Sequence, residues 1–396
     1  MLFWFCFAGT GKSLLIKYLV DRLLKEFGPD SFLLLGPTGV SAINIGGSTI
    51  HSALKIPIQS AYYKTLSGER ARKFCDQMEK VKFIIIDEYS MIGCSLLGMI
   101  DKRLREGTGV NEPFGNLKIY FFGDCKQLPP VKDMALYKGQ CKSELGQHGR
   151  SIFNSIQKYF VLKQVFRQND DNFLGILDRL SSGDSTLSDY QVLKTRFTTN
   201  VDIQTQKKFN NALRLFSTKE AVEKFNNMKL LTLQDEDGNL LPVARIPAQH
   251  HGSGASQGRP DEAGGLMPVL YVGPGIRIML RSNLWVKKGL VNGVMGTVVD
   301  LLYEEGKQSP DNPPAILMVK FDSYQGPGIG PDRLVPVSQV VRSWTRQGEV
   351  NQCSRQQFPV VVCYGCSIHK SQGLTLDQVS ESLNTSKLFC DFIIGA

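Results

Sequence analysis

A chain of 396 residues with 42% apolar content is long enough for two or three domains of ordinary size and too apolar for a disordered tail. Its 46 Lys and Arg against 37 Asp and Glu leave a formal charge of +9, which suits a phosphate-rich partner through counterion release but names none by itself. Nine cysteines, an odd number scattered without a repeating framework, argue against a disulfide scaffold and for a reducing compartment.

The opening run Met1-Leu2-Phe3-Trp4-Phe5-Cys6-Phe7 lacks a basic flank and a cleavage site, so it reads as neither signal peptide nor membrane span. It reads as the first buried strand of a parallel sheet, and a chain that starts on that strand predicts a true beginning further upstream. Ala8-Gly9-Thr10-Gly11-Lys12-Ser13 follows and carries most of the GxxxxGK[ST] pattern, with Cys6 at its first Gly position. In such a loop the glycines let backbone N–H groups close around phosphate oxygens, Lys12 reaches the terminal phosphates, and the Ser13 hydroxyl is a ligand for Mg²⁺. Residues 14–27 repeat apolar positions at helical spacing and stop at Gly28-Pro29. Phe32-Leu33-Leu34-Leu35, Phe83-Ile84-Ile85-Ile86 and Ile119-Tyr120-Phe121-Phe122 are predicted buried parallel strands, each ending in polar residues where α/β sheets place their sites.

After Lys163 a second α/β segment begins, interrupted over 249–267 by a stretch rich in Gly, Ser and Gln that is predicted to be a mobile loop. Residues 276–280, 296–301 and 315–321, with Asn292-Gly293 as a turn signal, predict a small β barrel. Val360-Val361-Val362-Cys363-Tyr364 is predicted to be a buried strand returning to the second α/β domain. Cys363 and Cys366 form a lone CxxC without a second pair, read as part of that strand rather than as a zinc site. The resulting division is 1–162, 163–275, 276–345 and 346–396.

The order of the polar strand ends carries the chemistry. Asp87-Glu88 places one carboxylate for Mg²⁺ and a second to polarise attacking water, the division of labour that phosphoryl transfer to water needs. Gln127 in Gly123-Asp124-Cys125-Lys126-Gln127-Leu128-Pro129-Pro130 has the amide to bond a γ-phosphate or its water, and the Pro pair fixes the loop exit. Phosphate loop, metal carboxylate and phosphate sensor occur in the order of an ATP-driven motor. Pro37-Thr38-Gly39-Val40-Ser41-Ala42 follows a buried strand and, taken alone, is a turn of small residues that permit close approach of another backbone.

Asp87-Glu88-Tyr89-Ser90-Met91, Gly123-Asp124 through Gln127-Leu128-Pro129-Pro130-Val131, Phe166-Arg167-Gln168 and Ser367-Ile368-His369-Lys370-Ser371-Gln372-Gly373 resemble, in order and spacing, the superfamily 1 helicases of the PIF (petite integration frequency) type, Helitron relatives included. Pro113-Phe114-Gly115 is similar to that family's signature segment, and residues 284–299 to the piece entering its SH3-like subdomain. The likeness runs over residues 9–379 and is closer than that to the bacterial RecD type. The resemblance implies an α/β protein with two RecA-like P-loop NTPase domains built on parallel sheets, plus a small SH3-like β-barrel insertion in the second. The implied activity is that of a 5′-to-3′ DNA helicase driven by ATP and Mg²⁺, with roles in repair, recombination or telomere maintenance. It further implies a monomer acting on single-stranded and on duplex or forked DNA, with no membrane partner, in the nucleus or alternatively the mitochondrion.

By position, the resemblance assigns Gly9, Thr10, Gly11, Lys12, Ser13, Gln127, Arg167 and Gly373 to the nucleotide and Ser13 and Asp87 to the metal. Lys12, Glu88, Gln127 and Arg167 take the catalytic roles, Arg167 reaching over from the second domain. Pro37, Thr38, Gly39, Thr49, His51, His369, Lys370, Ser371 and Gln372 fall to DNA. Two departures stand beside it: neither the family's Ala-Leu-Ser-Arg segment nor its adenine-reading Gln is present, and loss of a transition-state Arg costs ~10³-fold or more in rate. A remnant that binds ATP and DNA without unwinding is therefore the alternative expectation, ahead of a P-loop NTPase of another kind.

Overall fold

Two compact units, Met1–Gln191 and Val192–Ala396, divide the chain in the computed structural model. The structure describes residues 2–6, 9–57, 62–156, 158–166, 170–210, 212–235, 237–307, 312–345, 352–372, 374, 378–385 and 388–395. No described helix is long and apolar enough to cross a membrane.

The first unit runs β1 (Leu2–Cys6), α1 (Lys12–Phe27), β2 (Phe32–Gly36), α2 (Gly39–Asn44), β3 (Ser48–Thr49), α3 (Ile50–Ala53), α4 (Gly68–Met78), β4 (Phe83–Ile86), α5 (Cys94–Thr108), β5 (Lys118–Gly123), α6 (Glu144–Asn154), β6 (Tyr159–Leu162) and α7 (Asp171–Ser182). The division between the units falls within α8 (Leu187–Lys194). Among the described residues these strands form one parallel sheet in the order β3-β2-β4-β5-β1-β6. The central strand β4 shows why an uninterrupted apolar run folds this way. Successive side chains point to opposite faces, and both faces are covered. Ile84 and Ile86 pack with Leu97, Ile100 and Leu104 of α5, whereas Phe83 and Ile85 pack with Ile16 and Leu23 of α1. Each such fully buried Leu or Ile contributes about 1.5–3 kcal/mol.

The second unit continues with α9 (Ile203–Lys208), β7 (Leu213–Phe216), α10 (Lys219–Leu230), β8 (Ala244–Pro247), β9 (Gln249–His251), β10 (Val269–Val272), β11 (Arg277–Leu280), β12 (Met295–Leu302), β13 (Ile316–Phe321), β14 (Val335–Ser338), β15 (Val340–Thr345), β16 (Gln352–Gln357), β17 (Val360–Val362), β18 (Gly365–Ser367), α11 (Ile368–Ser371), β19 (Gln378–Thr385) and β20 (Leu388–Gly395). β7 lies parallel to both β18 and β19, the mark of an α/β layer. β14-β13-β12-β11-β17 form a separate antiparallel sheet with Ile278, Leu280, Val298, Leu317, Val319, Val337 and Val360 fully buried.

Two expectations are corrected here. Val360–Val362 does not return to the α/β layer; it pairs antiparallel with Ile278–Leu280 of β11. β18, just beyond, is the strand that pairs with β7. Residues 249–267 are not a free loop: β9 pairs with β16, and Ala255, Ala263 and Leu266 are buried. Their Gly and Ser content conceals an internal organiser. The guanidinium of Arg355 donates to the carbonyls of Leu266 (2.9 Å), Gly258 (2.5 Å) and Ala255 (3.4 Å), satisfying backbone that turns without a ladder of its own.

Candidate nucleotide site and nucleic-acid edge

The loop between β1 and α1 is shaped by two glycines in left-handed conformation, Gly9 (φ 77°) and Gly11 (φ 81°), on either side of buried Thr10. That alternation turns successive N–H groups toward one side, the geometry of an anion-cradling nest. Gly11 is also the N-cap of α1 and brings no side chain to its first turn, where Lys12 and Ser13 begin the helix. The Phe166 N–H donates to the Gly9 carbonyl (2.8 Å), tying the loop to the segment that leads into position 167. Arg167 and Gly373 lie outside the described residues.

Two strands away, β4 delivers the acid pair. Asp87 extends the strand, its N–H on the Leu35 carbonyl (2.9 Å), and its Oδ1 accepts the Glu88 N–H (2.9 Å). Glu88 sits at φ 53°, ψ 45°, a left-handed conformation that costs a non-Gly residue about 1–3 kcal/mol and that clusters at functional sites. Lys12 Nζ donates to Glu88 Oε1 at 2.7 Å and lies 3.3 Å from Asp87 Oδ1. Asp87 and Glu88 are 3% and 7% exposed, so this triad is largely withdrawn from water. Burial pushes the Asp87 carboxyl up against the pull of Lys12 in the opposite direction. Burial also works against the Lys12 charge, but the two carboxylates outweigh it and hold the ammonium above its usual range.

The donor set suits Mg²⁺. A buried carboxylate pair already hosts a cationic Nζ, Ser13 supplies a hydroxyl in the first turn of α1 next to Lys12, and a few hard oxygens are what Mg²⁺ takes from a protein when substrate phosphates supply the rest. From the neighbouring strand β5, Asp124 Oδ1 accepts the Lys126 N–H (2.9 Å) and its carbonyl accepts the Gln127 N–H (3.2 Å). This Asx turn sets the loop that presents Gln127. Lys126 Nζ anchors it further to Asp178 (2.5 Å) and Ser182 (3.0 Å) of α7. Because β4, β5 and β1 are neighbours, Lys12, Ser13, Asp87, Glu88 and the Gln127 loop emerge on one edge of the sheet.

The residues read as DNA-facing emerge on the same edge, from β2 and β3, which pair in register Gly36 to Thr49. Pro37 leads into Thr38, which caps α2 by accepting the Ser41 N–H (3.1 Å) while Ser41 Oγ accepts the Thr38 N–H (3.1 Å). Gly39 opens that helix, and Thr49 Oγ1 caps α3 by accepting the Ser52 N–H (3.3 Å). His51, half-buried on α3, is pushed down by burial and is neutral at pH 7. The hydroxyls of Thr38 and Thr49 thus shape the backbone of this edge.

In the second unit, Ser367 ends β18 and His369, Lys370 and Ser371 lie on the short α11, with Gln372 as its C-cap. What holds them is a residue invisible in sequence. Buried Asn226 of α10 donates through Nδ2 to the carbonyls of Val362 (3.1 Å) and Gly365 (3.0 Å), and its Oδ1 accepts the N–H groups of Tyr364 (3.0 Å) and Gly365 (2.8 Å). Asn226→Ala is expected to destabilise the protein by about 3 kcal/mol in urea titration, because four backbone groups, the two of Gly365 buried, lose their partner. Asn226→Asp should do nearly as badly, since it removes both donors. A loss below about 1 kcal/mol for either would show that water replaces the amide.

Two further segments singled out in the sequence have defined surroundings. Pro113–Asn116 is a tight turn with Phe114 (φ 55°) and Gly115 (φ 62°) left-handed, and the Phe114 N–H is held by buried Asp101 at 2.6 Å. Asp101 also accepts from Arg105 (2.7 Å) and meets His148 Nε2 at 2.7 Å. Cys363 and Cys366 are packed among Leu213, Met279 and Val361, and burial pushes the Cys366 thiol up to about 12, an environment for inert thiols.

Residues 1–181 match a family model described as PIF1-like helicase. The ATP-dependent DNA helicase PIF1 of Xenopus laevis is 30% identical over 398 residues, covering 95% of this chain and 54% of that protein. The Danio rerio protein of the same name is 31% identical over 392 residues, covering 95% and 53%. The chain spans about half the length of these curated relatives. Among solved structures, Pif1 helicase from Candida albicans superposes with a TM-score of 0.71 at 24% identity, over 97% of this chain and 85% of that one. Pif1 helicase from Bacteroides in complex with ADP-AlF3 and ssDNA gives 0.67 at 24%, over 96% and 81%. The shared fold is RecA-like α/β with a parallel sheet.

Proposed function

We propose that the chain is a member of the PIF1-like helicase family, whose model residues 1–181 match, and that it is an ATP-dependent DNA helicase that moves 5′ to 3′ along single-stranded DNA and opens duplex or forked DNA ahead of it. The observation that carries this reading is the buried contact of Lys12 with Asp87 and Glu88 on the sheet edge that also bears the Gln127 loop. Lys12 and the N–H groups of residues 9–13 hold the phosphates. Ser13 and Asp87 are the oxygens that would hold Mg²⁺, which when bound neutralises phosphate charge. Glu88 takes the proton of the attacking water, and Gln127 orients that water or the terminal phosphate. Pro37, Thr38, Gly39, Thr49 and His51 in the first unit, with His369, Lys370, Ser371 and Gln372 in the second, are proposed to meet the DNA strand. The antiparallel sheet β14-β13-β12-β11-β17 is proposed to be the SH3-like module.

The test is ATP turnover with and without single-stranded DNA. At least a tenfold stimulation is expected, by a fold-change well above assay error; equal rates would sink the helicase reading. Cys6 at the first Gly position of the phosphate loop favours one second reading, a protein that binds ATP and DNA without turnover. Tight nucleotide binding with no phosphate release, with or without DNA, would select it.

A further inference from the structure

We propose that Asp133 is a positioning residue that clamps the Gln127 loop against the segment carrying Glu88; its catalytic consequence rests on the ATPase reading above. Helix α5 begins at Cys94 behind Gly93, an N-cap with no side chain to offer its first N–H groups. The missing cap comes from far along the chain. Asp133 Oδ1 accepts the Ser95 N–H (3.2 Å) and O–H (3.0 Å), Oδ2 accepts the Leu96 N–H (3.2 Å), and Oδ1 also takes the Met134 N–H (2.8 Å). A carboxylate at the start of this 15-residue helix is favoured by the helix dipole as well. The attachment continues through the Cys94 N–H on the Met134 carbonyl (2.8 Å) and a bridge between Gly93 and Ala135. Gly93 is required there, because a Cβ at that position would overlap the Asp133 carboxyl group.

The other end of the loop is seated on the same segment. A Cβ on Gly123 would come within 2.9 Å of the Tyr89 backbone nitrogen, so β5 ends directly on the residue after Glu88. Residues 124–132, Gln127 among them, are therefore strung between two contacts on residues 89–96, the stretch that leaves the acid pair. Cutting the Asp133 contact loosens one end, leaving it held only by the backbone contacts of Met134 and Ala135. A catalytic group displaced by about 1 Å loses on the order of 10²-fold in rate, with little effect on substrate binding.

The test compares the full chain with Asp133→Ala, Asp133→Asn and Ser143→Ala by amide hydrogen exchange and ATP turnover. Ser143 is the control, since it caps α6 through the Gly146 N–H (3.1 Å) and stands outside the loop. Exchange over 124–132 should quicken at least tenfold in Asp133→Ala, less in Asp133→Asn, which keeps one acceptor oxygen, and not at all in Ser143→Ala. kcat should fall in the same order, by about tenfold or more for Ala, with KM for ATP within twofold. Adding Asp133→Ala to Gln127→Ala should cost little more than Gln127→Ala alone. Unchanged exchange, or fully multiplicative losses, overturns the proposal. Quickened exchange in a protein whose wild type shows no DNA-stimulated turnover upholds the clamp and counts against the ATPase reading instead. Should Asp133→Ala not fold, Ser95→Ala removes a single donor and is expected to show the same exchange change in smaller degree.

Discussion

Lys12→Ala is expected to lower DNA-stimulated ATP turnover by about 10³-fold or more, the scale seen when a cation aimed at transferring phosphate is removed. The loss has two sources that the geometry separates. One is the missing positive charge on the phosphates. The other is internal, because Lys12 lies between Asp87 and Glu88, and without it two withdrawn carboxylates face each other uncompensated. Burial already raises the Asp87 carboxyl, and losing Lys12 removes a contact that pulls it down. Asp87 should then protonate at higher pH and cease to be an anionic ligand. The sign follows directly: in wild type the acidic limb of kcat/KM sits above the ordinary Asp range, and activity falls as pH drops through it. In Lys12→Ala any residual activity should be lost at a higher pH still. Glu88→Gln is the companion variant, expected to bind nucleotide within a few-fold of wild type yet turn it over about 10²–10⁴-fold more slowly, as for loss of a general base. Turnover of Lys12→Ala within tenfold of wild type would remove this triad from the reaction.

The parts of the fold that were legible in sequence are those where local pattern and burial say the same thing. Phe83–Ile86 is a continuous apolar run because both faces of β4 are covered, and the run stops where Asp87 and Glu88 meet the sheet edge. Gly11 and Gly28 punctuate α1 for reasons their own backbone angles supply. Pairing partners were harder to read. Val360–Val362 would be equally apolar in either sheet, and only the register with Ile278–Leu280, some 80 residues away, decides which one it joins. Asp133, Asn226 and Asp101 were hard to read for the same reason: besides a neighbour such as Met134 or Arg105, the groups they hold in place lie 37 to 139 positions away for the first two and 13 to 47 for Asp101. A solitary Asp or Asn in a loop or helix carries no periodicity, so its role becomes visible only when the groups it satisfies are seen around it.

Arg355→Ala is expected to be the most destabilising substitution in the second unit, at about 4 kcal/mol in equilibrium unfolding. The guanidinium is fully buried in β16, and its hydrogen bonds are to neutral groups. Three are the carbonyls of residues 255, 258 and 266, the fourth is His250 Nδ1 at 3.4 Å from Nε, and the Trp344 ring lies with its centroid 5.7 Å away. Removing the side chain strands those carbonyls and opens a cavity beneath Trp344, two penalties that add. Arg355→Lys should not rescue, because one ammonium cannot reach both flanks that the planar fork spans. Limited proteolysis gives the local readout, with new cleavage within 249–267 in both variants before the rest of the unit yields. The Arg355 contact also predicts a pH dependence. Nδ1 of His250 accepts the Arg355 bond, so the ring is neutral, and burial together with the nearby guanidinium holds its pKa below the ordinary His value. A His depressed in the folded state contributes stability that is present above its unfolded pKa of about 6.5 and is lost as pH falls below it. Wild-type stability should therefore decline as pH falls below about 6.5, and that decline should shrink in Arg355→Met, where the cation opposing His250 protonation is gone. An Arg355→Ala protein that unfolds within about 1 kcal/mol of wild type, with 249–267 still resistant to protease, would mean that the segment holds itself in place.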